Sequence, residues 1–488
     1  MPSLYVFITE GLDAAWTFAL TETALQQLQF GRDVIFTYGL LGYLASGSVV
    51  SENVLFVAIF KFGIHVVLIF VLVLQYLAYK TTINRFLWAI SSIFLFHVLF
   101  SIDYKVLFLY LILLSWSIFP CFNLSHLKDC KTTKIDLQTV PWLRLYSFFL
   151  GGLAGFLALV KFTLGVATVG ALFLVQVGRA ISTAKTSSPS EANRSLFALG
   201  DSIVGAASIA FVFVAPNPLT HAIQLLLYGA IAGMVAAAWE KWRFPQNPNR
   251  NTLRAIATRA YGIYSLGLLA TVFLFDGVLL DFVRGSLEMS SGYSGAMSYI
   301  RSPLEVAVAL LEAALVASLM WKRRSWQRLG WYLALAFVLW IVFKHGFVRQ
   351  DAHVLLYFFF VPFLTSLVCI DEVREERRVR LRKPNVKSWG LIVRSIAIAI
   401  TLLYAIKPDV LGQAGLQPWP FWQAFTPKSI QNQVYLFDLD RVVSILEHGN
   451  QYHFERLKLP DDVREHLGTD PVDIVPWELT LAPANDLN

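Results

Sequence analysis

The stretch VLFVAIFKFGIHVVLIFVLVLQYLAY at residues 54–79 decides the fold, because it is long and apolar enough to cross a bilayer. A basic loop that contains Lys80 and Arg85 follows it directly. About a dozen stretches of membrane-crossing length alternate along the chain with basic loops and with loops of mixed charge. The sequence therefore predicts an all-α fold, a polytopic integral membrane bundle of helices.

Composition excludes the soluble classes of protein. The chain has 488 residues, of which 56% are hydrophobic, 14% are aromatic and only 15% are charged. A soluble domain carries about 25% charged residues, so this chain has too few to cover a surface that faces water. The formal net charge of +7 comes from the loops between apolar stretches, and it does not indicate a nucleic-acid partner.

The apolar stretches predict about 12 visible transmembrane helices, since each crossing needs about 20 predominantly apolar residues. Ser101–Asp103 and Lys161 form tight junctions between neighbouring spans. The segment LYVFI at residues 4–8 is interpreted as the outer end of a preceding helix that is missing from the sequence. The predicted spans lie near residues 54–79, 84–101, 104–121, 144–160, 162–178, 197–214, 219–238, 257–275, 304–321, 329–344, 353–370 and 390–407.

The basic loops predict the orientation. More than half of the 40 Lys and Arg residues lie in six loops that follow every second span, at residues 80–85, 128–144, 179–194, 241–259, 322–328 and 374–387. Short loops rich in Lys and Arg stay on the cytoplasmic side. We therefore predict an outer first loop with an amphipathic helix at 1–53, a transmembrane domain at 54–407 and a small outer segment at 408–488. The expected location is a bacterial inner membrane, with the C-terminal segment outside.

Three acids lie in outer loops or at outer helix ends under this topology. Asp13 follows the point where a first helix would leave the membrane, Asp33 follows a turn at Gly31, and Asp103 lies in the next outer junction. Acids at the mouth of a membrane bundle are costly to keep, so they are functional candidates. Alternatively, Asp13 caps the helix that begins at Ala14, and Asp33 merely flanks the turn.

Cations on the same side are candidates to bind phosphate. Lys161 stands alone between two apolar stretches, in Leu159-Val160-Lys161-Phe162. It either holds a lipid phosphate or snorkels, so that its ammonium reaches the outer headgroups. Lys344 and Arg349 are comparable candidates.

The segment KHGFVRQDAH at residues 344–353 places a cation pair, two histidines and an acid at one turn between helices. Asp351 and His353 could ligate a divalent cation together with His345, although a salt-bridged turn is an alternative. Tyr293 lies after Gly292 in a predicted outer loop at 276–303, where it either stacks on a sugar or belongs to a turn.

Lys61 and His65 lie one helical turn apart inside the first span. Ionisable residues inside a span are functional candidates by default. Here a pairing of one side chain with a helix carbonyl is the simpler interpretation.

The predicted outer loop at residues 1–53, which we call the first outer segment, resembles the first outer loop of the GT-C membrane glycosyltransferases. It has an acid after the first helix, an outer helix and an aromatic Tyr-Gly turn before the next span. The stretches GRDVIFTYGLLGYL (31–44), SLEMSSGYSGAMS (286–298) and KHGFVRQDAH are similar to a little-characterised group of bacterial membrane proteins within or near that superfamily. That group usually has Pro where Leu40 stands, so the turn is altered here.

The resemblance implies a glycosyltransferase that takes a sugar from a polyprenyl-phosphate-linked donor. The acceptor would be a glycan, a lipid or a protein at the outer face. Asp13, with Asp33 as second choice, would be the catalytic base or a metal-assisting carboxylate, and Asp103 a supporting acid. The sequence leaves the cofactor open, with a divalent cation as the candidate. The alternatives are a transporter or flippase for a lipid-linked or small polar solute, and a non-catalytic membrane assembly protein.

Overall fold

The computed structural model describes residues 8, 10–79, 81–98, 102–118, 141–186, 223, 278–298, 302–350, 353–370, 384–406, 438–468, 472, 480–485 and 487. Within these residues the regular structure is α-helical. Two isolated bridges accompany the helices, between Phe30 and Val34 and between Tyr38 and Lys161. The described part of the chain is therefore all-α, as predicted.

Helices occupy the predicted spans wherever the structure describes them. The spans predicted near 197–214, 219–238 and 257–275 lie outside the described residues, apart from the single residue 223, and each of the others coincides with one of the helices α3–α7 or α9–α12. The described helices are α1 Leu12–Leu25, α2 Gly42–Ser46, α3 Val54–Ala78, α4 Thr82–Val98, α5 Ile102–Ile118, α6 Pro141–Val160, α7 Phe162–Thr186, α8 Val278–Met297, α9 Pro303–Lys322, α10 Trp326–Val348, α11 His353–Val368, α12 Pro384–Ile406, α13 Leu439–Leu457, α14 Asp461–Leu467 and α15 Leu481–Ala484.

Three helices in the described part are long and apolar enough to cross a membrane, judged by length and composition. They are Val54–Ala78, Pro303–Lys322 and Arg328–Val348. Shorter apolar helices accompany them, at Tyr104–Ser117, Phe148–Val160, Phe162–Gly178, His353–Val368 and Ser388–Leu403. These helices are consistent with the membrane location that the composition predicted.

Helix α11 lies at the centre of the bundle. Val354 and residues 356–368 are buried, because α4, α9, α10 and α12 pack around the helix. Pro362 lies inside α11 and has no backbone N–H to donate to the carbonyl of Phe358. The hydroxyl of Thr401 in α12 donates to that carbonyl at 2.7 Å, which is shorter than its 2.9 Å distance to the alternative acceptor, the carbonyl of Ala397 in its own helix. The central helix therefore tolerates a proline because its neighbour supplies a donor.

Helices α7 and α10 approach each other at two glycines. A Cβ atom added at Gly178 would overlap the Cα of Gly330, and one added at Gly330 would meet the Leu174 carbonyl oxygen at 2.6 Å. Small residues allow membrane helices to pack backbone against backbone. This contact fixes α10, which carries His345, relative to α7, which begins beside Lys161.

The two ends of the bundle carry different side chains. Near the start of α3, Val54 packs with Val160, which directly precedes Lys161. Just past the other end of α3, the Tyr79 hydroxyl donates to the carbonyl of Ser366, near the end of α11. The second end carries arginines at positions 85, 323, 328 and 394. The described helices thus keep the basic loop ends apart from the Lys161 end, and the side of the membrane that each end faces stays a prediction.

The first outer segment departs from the sequence expectation in two details. α1 begins at Leu12 with Gly11 as its N-cap residue and no side-chain cap, so the interpretation of Asp13 as a cap is wrong. α1 is also not amphipathic, since it buries polar Thr21 while Leu25 is 41% exposed. The Thr21 hydroxyl donates to the Ser48 carbonyl, because α1 packs against the chain that follows rather than lying alone on a surface.

The region predicted as an outer loop at 276–303 contains helix α8. Gly292 and Tyr293 lie inside this helix, so the turn predicted at these residues is wrong. The side chain of Tyr293 lies outside the described part, and its contact with a sugar stays a prediction. α8 packs on the first outer segment through Phe282, whose ring contacts Phe30 and Phe162 edge-on.

The described part of the C-terminal segment packs on the membrane helices. Val442 and Leu446 of α13 are buried in one cluster with Val54 and Leu159. The backbone N–H of Ile8 donates to the side-chain oxygen of Asn450 at 2.8 Å. The segment therefore adds to the core at the Lys161 end.

Candidate functional site at the Lys161 end

Lys161 lies where the first outer segment crosses the junction between α6 and α7. Backbone groups at a helix end need partners outside the helix. Here the antiparallel segment at residues 37–41 provides them. The bonds are Gly39 N–H to Val160 C=O at 3.2 Å, Leu41 N–H to Leu159 C=O at 3.0 Å and Phe162 N–H to Thr37 C=O at 2.8 Å. A Cβ atom at Gly39 would overlap the Leu159 carbonyl oxygen, so this pairing requires a glycine.

The Lys161 ammonium is enclosed by aromatic rings. Its Nζ donates to the Tyr38 hydroxyl at 2.8 Å and lies 4.3 Å from the centre of the Tyr38 ring. The Tyr104 ring lies 5.9 Å from the same nitrogen. Tyr38 in turn stacks on Trp16 at 5.2 Å and on Phe36 at 5.7 Å. The half-buried ammonium is therefore bonded within the protein, and both its binding of a lipid phosphate and its contact with headgroups stay predictions.

Two histidines extend this site from the other side of Tyr104. The His345 ring, in the last turn of α10, lies 5.3 Å from the Tyr104 ring. The His353 ring, at the start of α11, lies 5.2 Å from that of His345. Gly346 permits this approach, because a Cβ atom there would lie 3.1 Å from the His353 carbonyl oxygen. The two histidines of KHGFVRQDAH thus meet beside Lys161.

A buried pair of basic side chains adjoins Tyr104. Lys105 Nζ lies 2.9 Å from His65 Nε2, and His65 Nδ1 lies 2.7 Å from the Lys61 carbonyl oxygen. A carbonyl only accepts, so His65 carries its hydrogen on Nδ1 and accepts from Lys105 at Nε2. The predicted pairing of His65 with a helix carbonyl is confirmed, and the bond from Lys105 is a further feature. Lys105 is only 6% exposed.

We call Lys105, Lys161, His65, His345 and His353 the basic cluster. Its members come from four separate helices and the junction at Lys161, and they gather at one end of an apolar bundle. Charge interactions are stronger at such a place than in water, because the surrounding dielectric constant is lower. The cluster, with the stacked rings of Trp16, Phe36 and Tyr38 beside it, is therefore suited to an anion attached to a group that stacks on aromatic faces.

The structure connects Asp13 to this site but places Asp33 in a turn. Asp13 is exposed and accepts from the indole Nε1 of Trp16 at 3.0 Å, and Trp16 stacks on Tyr38. Asp33 is exposed and accepts from the backbone N–H of Gln29 at 2.9 Å. Asp103 lies in the first turn of α5, and its side chain lies outside the described residues. The catalytic roles of these three acids stay predictions.

The remaining predicted residues are more scattered. Lys344 is exposed on α10, and Arg349 follows the last residue of that helix. Asp351 lies outside the described residues, so the predicted metal site at Asp351 and His353 stays a prediction. Within the described part, no group of three or more His, Cys, Asp or Glu side chains is placed to hold a metal ion.

Two buried acids of α9 were missed by the sequence analysis. Glu305 accepts from the side-chain amide of Gln350 at 2.9 Å, and that amide also donates to the Ser302 carbonyl at 2.7 Å. Glu312 is 1% exposed, and neither of its carboxyl oxygens has a hydrogen-bond partner among the described residues. Acids inside a membrane span are functional candidates by default, and applying this rule to the span at 304–321 would have identified both residues.

A cleft of about 450 Å³ opens between α13 and the chain before α3. A volume of this size is in the range that small ligands occupy. The cleft has apolar lining at Ile8, Val50, Leu446, Phe454 and Ala484, and polar or charged groups from Ser51, Glu52, Glu447, Asn450, Gln451, Glu455 and Lys458. Leu446 at its edge belongs to the same core cluster as Val160, so the cleft adjoins the structure that holds Lys161.

No protein-family model, curated protein or solved structure matches this chain. The family resemblance of GRDVIFTYGLLGYL and KHGFVRQDAH therefore stays a prediction. The structure gives the two segments one location, since Tyr38 of the first and His345 of the second lie on either side of Lys161 and Tyr104.

Proposed function

We propose that this protein is a membrane glycosyltransferase that uses a polyprenyl-phosphate-linked sugar. The observation that carries the proposal is the enclosure of the Lys161 ammonium by Tyr38, beside the basic cluster and at the end of apolar helices. A polyprenyl-phosphate donor needs an apolar surface for its tail, cations for its phosphate and a flat face for its sugar. The half-buried Lys161 ammonium and the half-buried rings of Trp16 and Phe36 supply the last two of these.

The proposed reaction is a substitution at the anomeric carbon of the donor sugar. The oxygen of an acceptor hydroxyl bonds to this carbon while the bond from the carbon to the phosphate oxygen breaks. The phosphate leaves with the bonding electrons, and Lys161 stabilises the charge that develops on it. The hydroxyl proton passes to the carboxylate of Asp13, which acts as general base.

The proposal includes the predicted topology. The remaining predicted spans cross the membrane with the helices described, and the Lys161 end faces the outside of a bacterial inner membrane. The acceptor, a glycan, lipid or protein, then reaches the site from the side on which the cleft beside α13 opens. The amide and carboxylate groups of that cleft, with the ring of Phe454, suit a hydroxylated acceptor.

Lys161 variants test the proposal directly. Purified protein in proteoliposomes is given a synthetic polyprenyl-phosphate-linked hexose, and released polyprenyl phosphate is measured. Lys161→Ala should lower the rate about a hundredfold, the loss typical of removing one group that stabilises a developing negative charge. Lys161→Arg should keep part of the rate, because the positive charge remains. Arg284→Ala is the matched control, since Arg284 is an exposed cation on α8 that pairs with Glu288.

An assay without turnover matters because the synthetic donor can carry the wrong sugar. Binding of polyprenyl phosphate, which carries no sugar, tests the phosphate site whatever the donor sugar is. Polyprenyl phosphate should raise the melting temperature of the wild-type protein, and polyprenol, which lacks the phosphate, should not. Lys161→Ala should lose the shift while remaining folded in the absence of lipid. Equal shifts by both lipids, or a full shift in Lys161→Ala, would show that the basic cluster does not bind a lipid phosphate.

A transporter or flippase for a lipid-linked or small polar solute is the second candidate. Glu312 favours it, because transporters hold ionisable groups near the middle of the membrane. The two functions differ in their product. A transporter moves a fluorescent lipid-linked sugar between the leaflets of a proteoliposome without breaking its bond to phosphate, and a transferase breaks that bond.

A further inference from the structure

Helix α9 buries two acids on one face. Glu305 is 0% exposed and Glu312 is 1% exposed. They lie seven residues apart, which places them on the same face two turns apart, about 10.5 Å along the helix axis. Ala309 lies between them, and its carbonyl accepts from the Tyr357 hydroxyl of α11 at 2.7 Å. A polar track therefore runs from the start of α9 into the interior of the bundle.

The two acids differ in their partners. Glu305, near the start of α9, binds the side chain of Gln350. Both carboxyl oxygens of Glu312 are buried and have no hydrogen-bond partner in the part of the chain that the structure describes. Tyr357 is close enough to interact electrostatically with Glu312. Arg394, a buried cation on α12, instead donates to Asn84 of α4.

An ionised carboxylate without hydrogen bonds is costly in an apolar interior. We therefore expect the charge of the Glu312 carboxylate to be neutralised by a positive ligand that is small enough for a confined space. Among the described residues no group of three or more His, Cys, Asp or Glu side chains is placed to hold a metal ion, and one carboxylate carries a single negative charge. A small ion of single charge meets both requirements.

We infer that Glu312 is the ligand of a monovalent-cation site, for a proton or Na⁺, inside the bundle beside α11. Glu305 and Gln350, which are also buried, lie at the end of the track nearest to the Lys161 end of the bundle. The inferred site is compatible with a transferase as well as with a transporter, because the inference depends on the burial of Glu312 and not on the chemistry at Lys161.

Labelling with dicyclohexylcarbodiimide tests this inference on the folded wild-type protein. This lipid-soluble reagent adds to a protonated carboxyl group. The carboxyl oxygen attacks the central carbon, the proton moves to nitrogen, and the adduct rearranges to a stable N-acylurea without losing an atom. Mass spectrometry of peptides should find the label at Glu312 at acidic pH and a loss of label as the pH rises. Exposed Glu288 is the internal control and should stay unlabelled.

Ions distinguish the two ligands. Loss of label on adding Na⁺, but not on adding the same concentration of choline, identifies a Na⁺ site. Labelling that depends on pH alone identifies a proton site. Glu305→Gln should keep the label at Glu312, which assigns the site to Glu312 rather than to Glu305.

A stability measurement provides the second readout. Relative to wild type, Glu312→Gln should lose the dependence of the melting temperature on pH or Na⁺ that Glu288→Gln retains. The inference is wrong when folded wild-type protein carries no label on Glu312 at acidic pH. It is equally wrong when a folded Glu312→Gln variant responds to pH and Na⁺ as the wild type does.

Discussion

The proline in the central helix makes a prediction about interhelical coupling. Pro362 cannot donate to the Phe358 carbonyl, and the Thr401 hydroxyl donates to it at 2.7 Å across the interface between α11 and α12. Thr401 is 0% exposed, so water does not compete for this carbonyl. Thr401→Val keeps the shape of the side chain and removes its donor.

The expected cost of Thr401→Val is about 1 kcal/mol. Hydrogen bonds between membrane helices contribute about 0.6 kcal/mol on average in double-mutant cycles, with a maximum near 1.7. Burying a carbonyl after losing its partner costs about 1–3 kcal/mol. The carbonyl here belongs to a helix in which 14 of the 16 residues are buried, which favours the upper part of the first range. A cost of 1 kcal/mol changes the unfolding equilibrium about fivefold.

Pro362→Ala supplies the decisive comparison, because alanine restores a backbone N–H that can donate to Phe358. In that background Thr401→Val should cost only a few tenths of a kcal/mol, which gives a coupling energy of about 0.5–1 kcal/mol. The free energy of unfolding is measured for the four proteins in mixed detergent micelles by tryptophan fluorescence. Additive costs within about 0.3 kcal/mol would refute the role assigned to Thr401.

Three further predictions follow from packing and topology. Gly330→Ala should destabilise the fold by about 1–3 kcal/mol, because the added methyl group overpacks the contact with α7. Gly63→Ala is the control and should not destabilise the fold, because the space around its Cβ position is open; thermal melting curves of the two variants test this. A cysteine at Ser291 should react with an impermeant thiol reagent from outside the cell and one at Ser325 should not, and the reverse would overturn the predicted orientation. Leu446→Ala should release α13, since Leu446 is 1% exposed, and limited proteolysis should then cut the C-terminal segment faster than in wild type.

The apolar stretches determined where the helices lie. Backbone groups inside a membrane must form hydrogen bonds within their own segment, so a long apolar stretch is expected to form a helix. The break at Lys161 and the turn at Gly31 were also predictable, since a charge between apolar stretches ends one span and begins another. The helix at 278–297 was not predicted, because its small and polar residues are equally typical of a loop.

Only the tertiary structure decided which side chains meet. Lys161 and Tyr38 lie 123 residues apart, and Lys105 and His65 lie 40 residues apart. No spacing in the sequence connects such pairs. Their contact depends on how the helices pack and on the segment at 37–41, which the backbone groups of the α6–α7 junction bind.

The burial of Glu312 shows the physical reason most directly. α9 exposes Leu304, Leu310 and Leu311 at 56%, 57% and 56%, and it buries Glu305 and Glu312. In a soluble helix the apolar face indicates the core, because water covers the other face. In a membrane, the lipid and the protein interior are both apolar. Hydropathy therefore predicts that a segment is a helix, but it does not predict which face of the helix the protein buries. The apolar stretches of the sequence therefore determined the helices that they form, and only the packing of those helices decided which of their side chains meet.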